Sequence, residues 1–261
     1  TSVDTSYVIS HGSMDSGEMK FTGHEANPVI TSQESGVWDM ETNSPSVLFD
    51  GMEYKMWYTG VDGIYSSIGY ATSHDGVTWT KHPGNPVFTA SGSGWDSLYV
   101  SDPEVMIVNG QYGMWYSGCD DFLLRRIGYA TSEDGITWVR HPDNPVLDVG
   151  ADGEWDCRDA RYPSVLFNGS QYEMWYTGMT AVRERRIGYA TSKDGIIWEK
   201  HPANPVLDIG DNGAWDDSGV RGSSVLFDGV QYKMWYNGNH RNYKIGYATS
   251  ADGLVWTRHY D

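Results

Sequence analysis

Apolar residues fall in short runs along this chain, each closed by a turn pair, and no stretch shows a helical three-to-four-residue spacing. The first full cycle shows the pattern. Pro45-Ser-Val-Leu-Phe49 stops at Asp50-Gly51, a hairpin-type pair, and Tyr54-Lys-Met-Trp-Tyr58 follows. Ile68-Gly-Tyr-Ala-Thr72 is next, then the tight turn Asp75-Gly76 and the run Val77-Thr-Trp79-Thr-Lys-His82. These predict four strands joined as a meander.

The cycle repeats. Met-Trp-Tyr recurs at Met56, Met114, Met174 and Met234, in steps of 58, 60 and 60 residues. Ile-Gly-Tyr starts at Ile68, Ile127, Ile187 and Ile245, Trp-Asp at Trp38, Trp95, Trp155 and Trp215, and Asn-Pro-Val at Asn27, Asn85, Asn144 and Asn204. A four-stranded unit repeated at this length predicts an all-β fold, a β-propeller of four-stranded blades. The run Phe21-Thr-Gly-His24 matches the fourth strand of each copy, and Ser13-Met-Asp15-Ser-Gly17 resembles the turn before it. The expected organisation is therefore a single propeller domain over 1–261. It has an N-terminal half blade at 1–30 and blades at about 38–90, 95–148, 155–208 and 215–261. This is a five-bladed plan with an incomplete fifth blade; a four-bladed ring with an extra hairpin is the alternative.

Composition narrows the partners. Of 261 residues, 35 are acidic and 18 basic, a formal charge of −17, which argues against nucleic acid or an anionic membrane. No apolar stretch is long enough to span a bilayer. Cys119 and Cys157 lie in variable loops of adjacent blades, where a rim disulfide or two free thiols are both open readings; a disulfide would fit a secreted, extracellular or periplasmic protein. Asn168-Gly-Ser170 is a weak glycosylation sequon in a repeated turn. The expectation is a monomer unless another chain completes the half blade.

Four copies also act as an internal control. A residue present in all of them serves the blade; a polar residue present in one needs another reason. The repeated tryptophans, and the histidines His24, His82, His141, His201 and His259, fall on the scaffold side, and no metal cluster is expected. The copies differ in the loop entering the first strand and the loop leaving the second, which should emerge at one end. Nine of the eleven arginines lie there, including Arg161, Arg183, Arg221 and Arg241. This gathering predicts a carboxylate, uronate or sulfate partner held by guanidinium groups. The counter-reading is that Arg126, Arg186 and Lys244, one repeated position, only pair with neighbouring acids. Asp102 and Glu104 stand where other copies have Ser44 and Ser46, Tyr162 and Ser164, or Gly222 and Ser224. Period-two alternation would put both carboxylates on one face of an innermost strand, where proximity can raise one pKa for acid catalysis. A calcium ion plugging the central channel is the other use for such a pair; otherwise no cofactor is expected.

With Asp-Pro or Ser-Pro opening the inner strand, Tyr-x-Met-Trp-Tyr and Ser-x-Asp-Gly-x-x-Trp, the chain resembles the five-bladed propeller glycosidases. This is the arabinanase, xylosidase and invertase superfamily that includes family 43. The resemblance implies three acids at the starts of inner strands in three successive blades: a base or nucleophile, a tuning Asp and a Glu acid. Asp102, before Pro103, matches by position. Ser44 stands where the base is expected and Arg161-Tyr162 near the expected Glu, with Glu41, Glu104 and Asp159 near enough to substitute. The expected function is a glycoside hydrolase acting on an oligo- or polysaccharide at a central funnel, with Asp102, Glu104, Glu41 and Asp159 as catalytic candidates. Arg161, Arg221, Tyr162, Asn43, Arg183 and Arg241 are the substrate-binding candidates. A non-catalytic, lectin-like propeller with one pocket per blade, or a degenerate interaction scaffold, would share the blade pattern. The differences between blades at one rim favour the enzyme.

Overall fold

The computed structural model describes residues 24–31 and 37–259. Sixteen strands form four meanders of four. The innermost strands are β1 (Glu41–Phe49), β5 (Tyr99–Val108), β9 (Asp159–Phe167) and β13 (Gly219–Phe227). Each pairs antiparallel with a second strand: β2 (Tyr54–Val61), β6 (Gln111–Cys119), β10 (Tyr172–Met179) or β14 (Tyr232–Asn239). Third strands are β3 (Ser66–Ser73), β7 (Arg125–Ser132), β11 (Arg185–Ser192) and β15 (Tyr243–Ser250). Outermost lie β4 (Thr80–Lys81), β8 (Val139–Arg140), β12 (Trp198–Lys200) and β16 (Thr257–His259). The propeller of four-stranded blades expected from the repeats is thus what the chain forms. No strand of the fourth blade pairs with the first among the described residues. The half blade proposed for 1–30 lies largely outside the described residues. Its return segment is described: Ile30 packs on Met56, Tyr58 and Ala71 of the first blade, as Phe88 packs on Tyr116 of the second.

The repeated residues explain why the blades stack. The indole of Trp115 is buried between blades two and three, and its Nε1 donates to Gly195 O at 2.8 Å, in the Asp-Gly turn of the next blade. Trp198 donates to the same carbonyl from within that blade at 3.0 Å. Trp57 and Trp138 share Gly135 O in the same way, and Trp175 and Trp256 share Gly253 O. Both lone pairs of each carbonyl are used, so the turn is clamped from two blades. In the turn itself, Asp134 Oδ1 accepts the Ile136 and Thr137 amides, which holds its pKa down at about 2.

The Asp of each Trp-Asp pair is a buried anchor. Asp39, Asp96, Asp156 and Asp216 accept the hydroxyls of Tyr58, Tyr116, Tyr176 and Tyr236, and each also pairs with the cation of the outermost strand, Lys81, Arg140, Lys200 or Arg258. The preceding Trp lies against the Gly of Ile-Gly-Tyr, where a Cβ on Gly128 would sit 2.4 Å from the Trp95 ring. The histidines cap turns: His82, His141 and His201 each accept a backbone amide two residues on. Cys119 and Cys157 are buried free thiols.

Candidate active site

A bulge interrupts each inner strand near its start. In every inner strand the pairing register slips, between Asn43 and Ser46, Ser101 and Glu104, Arg161 and Ser164 (opposite Trp175 and Thr177), and Arg221 and Ser224. The extra residue takes a left-handed backbone: Ser44, Asp102, Tyr162 and Gly222 have φ of 47°, 54°, 54° and 57°. Such a bulge re-aims one side chain per blade. Its amide is held by the preceding blade: Asp102 N donates to Thr59 Oγ1, Tyr162 N to Ser117 Oγ and Gly222 N to Thr177 Oγ1. A hydroxyl on the second strand of each of the first three blades, Thr59, Ser117 or Thr177, therefore fixes where the variable residue of the next blade stands.

Asp102 is buried and its carboxylate is gripped from both sides. Ser44 Oγ of the first blade donates to Oδ1 at 3.0 Å and Ser101 Oγ donates to Oδ2 at 3.0 Å. The Ser44 hydroxyl also lies 3.2 Å from Asn43 Oδ1, placing Asn43 beside this group. Glu104 behaves differently. The bulge breaks the alternation that was expected to pair it with Asp102, and Glu104 Oε1 instead accepts the Val165 amide of the third blade at 3.1 Å. Ser46 and Ser164 do the same for Val105 and Val225, so Glu104 replaces a repeated inter-blade hydroxyl with a longer acid. Burial pushes its pKa up to about 7, against the pull of the Val165 amide.

Asp159 is fully buried at the start of β9. Arg125 Nη1 donates to its Oδ1 at 3.0 Å, and Arg161 Nε lies 3.1 Å from its Oδ2. With no exposed atom it holds guanidinium groups rather than facing a substrate, which is where the structure departs from its reading as a catalytic acid. Glu41 lies exposed at the start of β1 and is not drawn into this network. Arg183 and Arg241 are exposed on the rim loops.

Arg161 and Arg221 stand third in β9 and β13, over aromatic rings: Arg161 lies 4.7 Å from the Tyr162 centroid and Arg221 4.0 Å from that of Tyr243. The charges of both act on Arg185, which the sequence reading counted only as one of the nine gathered arginines. Its Nε is buried without a hydrogen-bond partner, and burial, then the Arg161 and Arg221 charges, push its pKa down. Burial also opposes the Arg161 charge, but Tyr162, Asp159 and Asp102 outweigh it and raise its pKa. The signal for Arg185 was the doublet in which it sits. Adjacent strand residues face opposite ways, and Arg126 and Arg186 pair outward, to Asp120 and Asp148 and to Glu184 and Asp208. Arg125 and Arg185 turn inward. Among the described residues no group of three or more His, Cys, Asp or Glu is arranged to hold a metal ion.

The chain is thus a propeller of four-stranded blades with a hydrogen-bonded Asp and guanidinium groups gathered near its inner strands. Residues 119–261, more than half of the chain, match the family model Glyco_hydro_130, described as beta-1,4-mannooligosaccharide phosphorylase, and the chain belongs to glycoside hydrolase family 130. The superfamily resemblance holds; the family matched is 130, where the sequence motifs pointed towards 43. An uncharacterized protein of Mycobacterium tuberculosis is 35% identical over 158 residues, 58% of this chain and 50% of that protein. A 1,2-beta-oligomannan phosphorylase of Thermoanaerobacter sp. is 30% identical over 115 residues, 41% of this chain and 38% of that protein. The chain thus spans about half the length, or less, of the curated relatives it matches. A solved glycosyl hydrolase from Bacteroides ovatus has a TM-score of 0.69 at 19% identity, covering 90% of this chain and 78% of its own. A family 130 structure, reported with glycoside hydrolases that target beta-1,2 mannosidic linkages in Candida mannan, gives 0.67 at 20%, with the same coverage. These likenesses carry the fold.

Proposed function

We propose that the protein cleaves a mannosidic linkage of an oligosaccharide with inorganic phosphate as the attacking group. The observation that carries this reading is a chain of charges: Asp102 acts on Arg161, and Arg161 and Arg221 both act on Arg185. A carboxyl fixed by two hydroxyls stands near guanidinium groups with too few acids to balance them, in a protein of charge −17. Such a cluster suits a tetrahedral oxyanion, which guanidinium binds bidentately. In the proposed step Asp102 acts as the general acid, passing a proton to the glycosidic oxygen as the sugar C1–O bond breaks. A phosphate oxygen forms the new bond to C1, giving a sugar 1-phosphate and the shortened oligosaccharide. Tyr162 and Asn43 flank the sugar, and Arg183 and Arg241 meet the distal chain at the rim.

Hydrolysis is the second reading. Glu104, with its pKa near 7, would activate water in place of phosphate, and the guanidinium groups would bind a uronate or sulfate on the glycan. Incubating the protein with manno-oligosaccharides, with and without phosphate, separates the two. Phosphate-dependent release of mannose 1-phosphate supports phosphorolysis. Free mannose released equally in both conditions overturns it in favour of hydrolysis.

A further inference from the structure

The four blades carry different residues at one seam. The first residue of each third strand meets the first residue of the next inner strand. Between blades one and two these are Ser66 and Tyr99, and the Ser66 hydroxyl donates to Val100 O at 2.8 Å. Between blades two and three they are Arg125 and Asp159, joined by a backbone bridge and by the 3.0 Å ion pair. Between blades three and four they are Arg185 and Gly219. A Cβ on Gly219 would stand 3.6 Å from Arg185 Cβ, at ordinary contact distance.

One seam arginine is therefore neutralised and the other is not. Arg125 is locked: its Nε donates to Tyr99 Oη at 2.7 Å while its Nη1 binds Asp159. The second Asp159 oxygen lies 3.1 Å from Arg161 Nε, an ion pair that lacks hydrogen-bond geometry, and the Arg161 guanidinium lies over Tyr162. Arg185 faces Gly219 instead of a carboxylate, and its Nε stays buried and unpartnered. The half-buried Arg185 guanidinium, with no ion pair among the described residues and the Arg161 and Arg221 charges acting on it, favours a ligand that supplies a counter-charge.

We propose that Asp159 and Gly219, the same position in successive blades, set the anion affinity of the channel. Asp159 is a positioning residue that aligns Arg161. Gly219 determines specificity by what it lacks, leaving Arg185 free to pair with the bound oxyanion. The inference rests on the phosphate reading above and assigns it two residues that touch no substrate.

The test is isothermal titration of the protein with inorganic phosphate, and with sulfate as a second probe, beside thermal melts. Gly219→Asp builds at the third seam the pair that Arg125 and Asp159 make at the second. The expected result is a melting temperature at or above that of the unmodified protein and phosphate affinity at least tenfold weaker. Gly219→Asn, of equal bulk and no charge, keeps affinity within about threefold. Asp159→Asn raises the KM for phosphate by tenfold or more and leaves the KM for the oligosaccharide within twofold. Unchanged phosphate affinity in a folded Gly219→Asp protein overturns the proposal, while binding by the unmodified protein would leave the phosphate reading intact. If Gly219→Asp is insoluble, an unchanged phosphate KM in Asp159→Asn overturns it equally. Failure of the unmodified protein to bind either anion sinks the phosphate reading, and this inference with it.

Discussion

Arg125 and Asp159 are joined twice, once through a parallel backbone bridge between β7 and β9 and once through a 3.0 Å ion pair. That bridge fuses the second and third blades into one eight-stranded sheet, while the first and fourth remain separate four-stranded sheets. Asp159 of the fused seam also contacts Arg161, and Asp102 belongs to the same sheet. The fused sheet thus carries both the Asp102 carboxyl and the Arg161 guanidinium of the candidate site. Placing reacting groups on strands locked by packing is how a site keeps its geometry.

Asp102 is the proposed proton donor, so Asp102→Asn should remove turnover and spare the fold. Asn keeps an oxygen to accept the Ser44 or Ser101 hydroxyl, so melting should shift by no more than a few degrees. Turnover of a manno-oligosaccharide should fall about 10²–10⁴-fold, the usual worth of a general acid. Steady-state rates beside a thermal melt check both halves. Loss of folding together with activity would mean that Asp102 serves the bulge rather than the reaction.

Trp115 tests the stacking of blades. Trp115→Phe removes the 2.8 Å bond to Gly195 O and leaves a void in a fully buried place. The expected cost is about 2–4 kcal/mol, read as a fall in Tm of roughly 4–16 °C in a chain of this size. Trp198→Phe removes the weaker, half-buried bond to the same carbonyl and should cost about 1 kcal/mol. Equal losses in the two variants would show that the carbonyl is held from within its own blade.

The blade plan was legible because each scaffold residue is written four times. Trp-Asp, Met-Trp-Tyr and Asp-Gly recur with one set of contacts, and comparing copies separated them from Asp102 and the rim arginines. The bulge was not legible from alternation, since an extra left-handed residue leaves the count of apolar positions unchanged. The trace it does leave is Gly222, a glycine where other copies have Ser44, Asp102 and Tyr162. Reading strict alternation through that position brought Asp102 and Glu104 together. In the structure they reach to opposite neighbours, Ser44 of the first blade and Val165 of the third. Asp159 was picked out for its charge, and its burial depends on Arg125, a partner 34 residues away that no local pattern reveals.

Anion binding should be visible as stability. Arg161 and Arg221 both repel Arg185 in the folded state, and an oxyanion beside Arg185 would relieve this. At a free phosphate concentration of 100 Kd the fold should gain about 2.7 kcal/mol. Arg221→Met keeps an apolar chain over Tyr243 and should lose most of that gain. Melting curves over a phosphate series, matched in ionic strength with chloride, provide the measurement. An equal rise in both proteins would mean that phosphate acts elsewhere or through salt alone.

Glu104 should give the protein a pH-dependent stability that a neutral residue removes. Burial raises its pKa from 4.5 to about 7, so between those values the folded state retains a proton that the unfolded chain has released. The sign follows directly: this group's contribution to stability falls as pH rises from about 4.5 to about 7 and stays low above it. Gln at this position keeps an oxygen to accept the Val165 amide and carries no charge to bury. Glu104→Gln should match the unmodified protein near pH 5 and exceed it at pH 8 by on the order of 1–3 kcal/mol. Urea unfolding at the two pH values decides it. Parallel pH dependence in the two proteins would mean that the carboxylate is well solvated from the channel, and would remove the proton-holding group that the hydrolytic reading requires.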